Sequence, residues 1–128
     1  QGKDPYGAGN VMTEHQIQNE ILRVYGTHPG LRLWRQNTGK ARYVSKTGSR
    51  TVSFGIPGQA DLSGILPDGR RLEIEVKTAA GRQSPEQKKF QAMIERFNGM
   101  YILARSVEDV DRAFAKAGYF TGRDSDAD

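Results

Sequence analysis

The chain contains no cysteine. That absence excludes disulfides, thiol nucleophiles and cysteine-ligated zinc, and it suits a reducing, intracellular compartment. Histidine is almost missing as well. His15 and His28 are the two present, too few for a histidine-rich metal site, and both are expected on the surface. No apolar run approaches the roughly 18 residues that signal a membrane span. The first residues lack the apolar stretch of a secretory signal. The most informative absence is one of charge: residues 21–60 hold no Asp or Glu. The same window holds Arg23, Arg32, Arg35, Lys40, Arg42, Lys46 and Arg50. The closing "TGRDSDAD" sets three aspartates against one arginine, so the rest of the chain is more basic than the overall +4. An acid-free basic half points to a polyanion partner, with nucleic acid the natural one.

What is present fits one domain. A chain of 128 residues can close a single core. Residues 1–11, Gly-rich and without periodicity, read as a leader. The domain is expected over 12–118, and the acidic 119–128 as a disordered tail. "MTEHQIQNEILRVYG" predicts a helix, with Thr13 as N-cap, Ile17, Ile21, Leu22 and Tyr25 as the apolar stripe, and Gly26 at its end. "LRLWRQN" reads as a strand. "TGKARYVSKTGSRT" reads as a long loop or a loose hairpin, and "GIPG" as a turn. "ADLSGILPDGRRLEIEVKT" predicts two strands joined by Pro67-Asp68-Gly69. "SPEQKKFQAMIERFNG" predicts a helix capped by Ser84, with Pro85 at its first position and Phe90, Met93, Ile94 and Phe97 in the core. "MYILAR", wholly apolar, is expected in the middle of a covered sheet. "SVEDVDRAFAKAG" predicts a last helix between Ser106 and Gly118. The order αβββαβα implies an α/β fold, a central mixed β-sheet flanked by helices, with a βαβ crossover that makes the last two strands parallel.

The strand "RRLEIEVKT" alternates. Leu72, Ile74 and Val76 form one face; Arg71, Glu73, Glu75 and Lys77 form the other. Loop length decides what lies opposite. A three-residue loop, with Gly69 at its left-handed position, pairs Leu66 with Arg70 and therefore Asp61 with Glu75 on one face. A two-residue loop puts Asp61 opposite Val76, on the wrong face. Two facing carboxylates repel unless a cation compensates. Lys77 is one such cation, and a bound metal is another. Oxygen ligands without His or Cys suit Mg²⁺ or Mn²⁺. Two carboxylates, a lysine and a basic approach surface together indicate metal-dependent phosphodiester hydrolysis.

The segments "TEHQIQNEIL", "LRLWRQN", "GIPGQAD", "EVK" and "RQSPEQKKF", in that order, resemble the VRR-NUC branch of the PD-(D/E)XK nucleases, which have the restriction-endonuclease-like fold. The resemblance runs over about residues 12–114, with Ala60 standing where many members have proline. It implies that Asp61 and Glu75 bind the metal with the Val76 carbonyl, that Lys77 assists the attacking water, and that the first helix adds a further polar group. Gln18 is the first choice for that group, Glu14 the second as a metal ligand, and Glu20, about 200° round the helix from Gln18, the third. Gln87 of "SPEQ" is implied at the active site, while Ser84 to Gln87 is equally a capping box. The resemblance implies a Mg²⁺- or Mn²⁺-dependent endonuclease acting on Holliday junctions or other branched DNA as a homodimer. Arg32, Arg35, Lys40, Arg42, Lys46 and Arg50 are expected to contact DNA phosphates. The alternative is a non-catalytic DNA- or junction-binding module that keeps the fold. Plainer roles stand beside these. Glu75 and Lys77 form a surface ion pair, Glu73 and Arg71 are solvated, and Trp34, although able to stack on a base as Tyr43 is, belongs to the core.

Overall fold

A computed structural model describes residues 11–36 and 39–120, with the backbone alone described for 39–45 and 51–54. Each helix is bounded where its sequence supplies a cap. In α1 (Glu14–Tyr25) the Thr13 hydroxyl accepts from the Gln16 N–H while the Gln16 side chain accepts from the Thr13 N–H. In α2 (Pro85–Arg96) Ser84 and Gln87 do the same. Two orphan backbone donors are satisfied in each case. In α3 (Val107–Ala117) Ser106 caps the start, and Gly118 ends the helix at φ 84°.

The strands are β1 (Arg32–Arg35), β2 (Gly39–Ser45), β3 (Gly48–Phe54), β4 (Leu62–Ile65), β5 (Arg71–Val76) and β6 (Met100–Ala104). Four of them form a mixed sheet in the order β1-β4-β5-β6. β1 and β4, and β4 and β5, run antiparallel, while β5 and β6 run parallel through α2. The basic, Gly- and Thr-rich segment is a hairpin, β2 against β3, closed by the two residues Lys46 and Thr47. Relative to αβββαβα, this hairpin is an addition.

The β4–β5 register is the one that a three-residue loop dictates. Leu62 faces Ile74, Ser63 faces Glu73, and the Leu66 N–H donates to the Arg70 carbonyl at 2.9 Å. Gly69 sits at φ 89°, as the left-handed loop position requires.

Side chains sort by face. On one side Leu72, Ile74, Val76, Leu62 and Ile102 meet Ile17, Ile21 and Tyr25 of α1 and Val107, Val110 and Phe114 of α3. The Tyr25 and Phe114 rings lie edge to face at 5.0 Å. Tyr119 and Phe120, after α3, pack against this core. On the other side Phe90 and Ile94 of α2 join Ala60, with Met93 and Tyr101 beside them.

Two expectations about the core fail here. "MYILA" is an edge strand among the described strands, and β5 is central. β6 is apolar because α2 and α3 cover both its faces, and coverage sets composition more than position does. Phe97 is 71% exposed, because α2 ends at Arg96 and Phe97, at the cap, no longer follows the buried stripe. His28 is half-buried between Tyr25 and Phe120, its Nδ1 accepting from the Gly30 N–H, and burial lowers its pKa. Among the described residues no helix is long and apolar enough to cross a membrane.

Candidate active site

The acid pair is assembled by strand register and closed by a helix cap. Asp61 directly precedes β4, and the register carries it opposite Glu75. Its carboxylate takes the place of a backbone acceptor there, receiving the Val76 N–H at 2.8 Å. This bond fixes Asp61 beside Glu75, which lies one residue earlier on β5 and points to the α2 side. Gly58 makes the approach possible. It sits at φ 78°, and a Cβ there would lie 2.2 Å from the Glu86 carbonyl. The loop leading to Asp61 thus runs against the first turn of α2, the turn that carries Gln87.

Gln87 caps α2 and also touches the acid pair. Its Oε1 accepts from the Ser84 N–H, and its Nε2 donates to Glu75 Oε2 at 2.8 Å. Lys77 Nζ lies 3.6 Å from the same Glu75 oxygen. The Glu75 and Lys77 side chains are 3% and 14% exposed, so this is not a surface ion pair. Glu75 Oε1 is buried and has no hydrogen-bond partner.

The electrostatics follow from this geometry. Burial pushes the Glu75 carboxyl up to about 8, and the Asp61 charge adds to the effect while Lys77 opposes it. Burial also raises Asp61, against the Val76 N–H, which lowers it. The Glu14 charge raises both acids, so the first turn of α1 reaches the pair. Gln18, the first choice from sequence, instead accepts from Arg35 Nε at 3.2 Å, and Asn19 takes the same guanidinium at 2.7 Å. Glu20 lies 3.8 Å from Arg23. Behind Glu75 stands Tyr101. Its hydroxyl accepts from Gln83 Nε2 at 3.1 Å, and burial pushes it up to about 12.

Asp61, Glu75, Val76, Lys77, Gln87 and the Glu14 charge therefore converge. Among the described residues no third Asp, Glu or His joins Asp61 and Glu75 in a metal-binding cluster. The pair nonetheless suits a hard divalent ion, which typically keeps several waters and takes one or two carboxylates from the protein. An unsatisfied buried carboxylate oxygen next to a second carboxylate is such a donor set.

The basic residues are less concentrated. Arg32, Lys46 and Arg50 are exposed. Arg35 is engaged by α1, and the side chains of Lys40 and Arg42 lie outside the described residues.

Two sequence expectations are overturned on this face. Glu73 is not solvated but fully buried, on a central strand between Ser63 of β4 and Tyr101 of β6; it is held by the Ser63 hydroxyl at 2.9 Å and by Arg71 Nε at 2.5 Å. Trp34 is not core but 38% exposed, with the Arg71 guanidinium 5.8 Å from its ring centroid. The three-residue loop that sets Asp61 against Glu75 also sets Ser63 against Glu73, a signal already present in the sequence. In comparisons with known proteins, no family model and no curated protein matches this chain, so the resemblance rests on the quoted segments alone.

Proposed function

We propose that the chain is a Mg²⁺- or Mn²⁺-dependent, structure-selective DNA endonuclease of the VRR-NUC type. The observation that carries this reading is the Asp61–Glu75 pair, Glu75 buried and Asp61 half-buried, with Lys77 beside it and one Glu75 oxygen unsatisfied. Facing carboxylates withdrawn from water weaken a fold unless a cation compensates, and groups so placed are characteristic of functional sites. Asp61 and Glu75, with the Val76 carbonyl and Glu14 as neighbours, would hold the ion. Bound there, it supplies a Lewis acid for a phosphodiester oxygen and lowers the pKa of a coordinated water.

The chain's own residues do the rest. The Val76 N–H and Gln87 amide fix the two carboxylates, so little reorganisation is left for the reaction. The Lys77 ammonium is placed to orient the attacking water or to stabilise the phosphorane charge as it develops. Arg32, Lys46 and Arg50 supply phosphate contacts that position DNA without reading its sequence, which favours selectivity for DNA shape. A two-fold dimer acting on a four-way junction is the form that the resemblance suggests, with two sites on one basic face.

The test incubates the protein with a labelled four-way junction and with linear duplex, in Mg²⁺, Mn²⁺ or EDTA. Metal-dependent nicking of the junction is expected. Glu75→Gln should reduce the rate at least about 100-fold while DNA binding persists. Binding without any metal-dependent product would instead favour the second reading, a DNA-binding module that keeps the fold.

A further inference from the structure

Glu73 is a buried carboxylate that the proposed chemistry does not use. It is fully buried, and its two oxygens are taken by Ser63 and Arg71. An apolar residue of similar size would serve stability as well or better. What Glu73 does achieve is to fix Arg71. That guanidinium, anchored through Nε, lies over the Trp34 ring. Arg71 itself remains 46% exposed, and Trp34 stays exposed beside it. A rigid, half-open arginine–tryptophan pair is the equipment of a stacking site.

Its position relative to the acid pair gives it a role. Along the α2 side of the sheet, Asp61 and Glu75 form one cross-strand row. Trp34, Ser63 and Glu73 form the next, and Arg32, Ile65 and Arg71 the one after. Rows two residues apart are separated by about 7 Å, on the scale of one nucleotide step in an extended strand. α2 packs over β6 through Phe90, Ile94 and Tyr101, while Trp34 and Ile65 on the β1–β4 side stay exposed. A strand leaving the acid pair toward β1 therefore meets an aromatic surface first and the Arg32 and Arg71 charges next.

We propose that Trp34, held under Arg71 by the buried Glu73, is the stacking platform for one unpaired nucleobase flanking the scissile phosphate. This deepens the nuclease reading and rests on it. Bases of a continuous duplex are already stacked and cannot reach the ring, so the platform makes an unpaired nucleotide beside the cut a condition of tight binding. Glu73 is a positioning residue, and its carboxylate touches no DNA.

Trp34 is the single tryptophan of the chain, so its emission reports this position alone. The full chain, in EDTA, is titrated with a duplex carrying a short single-stranded flap and with the fully paired duplex of equal length. Tryptophan emission and the anisotropy of a dye on the DNA are followed together. Emission should be quenched at saturation with the flapped DNA and not with the duplex. Trp34→Ala should lose about 5- to 150-fold in affinity for the flapped DNA with duplex affinity kept, and Trp34→Phe should retain most of it. Glu73→Gln, which keeps a polar partner for Ser63, should give a smaller loss confined to the flapped DNA. Unquenched emission at saturation, or equal loss on both DNAs in Trp34→Ala, overturns the platform, and the wild-type quenching decides the matter even where a variant folds poorly. Quenching without product in Mg²⁺ or Mn²⁺ would keep the platform and remove the nuclease reading. Metal-dependent product with unquenched emission would do the reverse.

Discussion

The two sides of the central sheet are built to opposite rules, although β5 serves both. Toward α1 and α3 it contributes Leu72, Ile74 and Val76 to a continuous apolar core. Toward α2 it contributes Glu73 and Glu75, which with Ser63 are the buried polar and charged residues among those described. Glu73 and Glu75 are buried about as completely as Leu72, Ile74 and Val76; what differs is whether that burial helps the fold. The apolar side gains the transfer free energy of its side chains. The polar side loses hydration and recovers it through bonds from Ser63, Arg71, Gln87 and Lys77, leaving one Glu75 oxygen with nothing. Under the proposed function the unsatisfied group is the one that would meet the metal ion, so stability and the proposed chemistry fall on opposite faces.

The strongest way to break this comparison is to truncate the apolar side. Ile74→Ala should cost about 2–5 kcal/mol in urea unfolding. Glu75→Gln, one residue away and as deeply buried, should cost nothing and can stabilise the metal-free protein. A comparable loss from both would erase the distinction.

The next effect is a pH dependence that belongs to the polar side alone. The Glu75 carboxyl rises from 4.5 to about 8 in the folded, metal-free protein, so the folded state binds the proton that the unfolded state releases. Its contribution is fully present below about 4.5, declines as pH rises, and is lost once pH passes about 8. Metal-free wild type should be less stable at pH 8 than at pH 5 by on the order of 3 kcal/mol, and Glu75→Gln should flatten the difference. Equal slopes for the two proteins in urea melts at both pH values would refute the assignment.

A smaller effect concerns the hairpin charges. Lys46→Gln and Arg50→Gln should each lower the salt slope of DNA binding by about 0.7–0.9, read from log–log titrations. An unchanged slope would remove the hairpin from the interface. Smallest of all, Phe97→Ser should alter stability by no more than about 0.5 kcal/mol, despite replacing a phenylalanine, because that ring lies outside both cores. A thermal melt shifted by many degrees would return Phe97 to the core.

The pattern of successes and failures follows the range of the interactions involved. Caps at Thr13, Ser84 and Ser106 were legible because each bond closes within three residues. The β4–β5 register was legible because three loop residues and one left-handed glycine set it. The contact of Gln87 with Glu75 was within reach too, since the box that caps α2 follows shortly after "EVK". The errors at Glu73 and Trp34 have another origin. Alternation assigns a residue to a face and says nothing about what covers that face. Glu73 is buried by what flanks its row, while Trp34 is left open on the β1–β4 side, away from β6 where α2 packs.

The sequence by itself determined most of the elements, their caps and the α/β order, and it narrowed the residue opposite Asp61 to Glu75 or Val76, because short-range backbone geometry and the two-residue strand period leave few alternatives. The tertiary structure alone decided which polar residues would be dehydrated, that the Glu14 charge would reach the acid pair while Gln18 turned to Arg35, and that Arg71 would be fixed over Trp34. Those outcomes depend on where helices distant in sequence come to rest on the sheet, and burial, unlike register, is a property of the whole packed molecule.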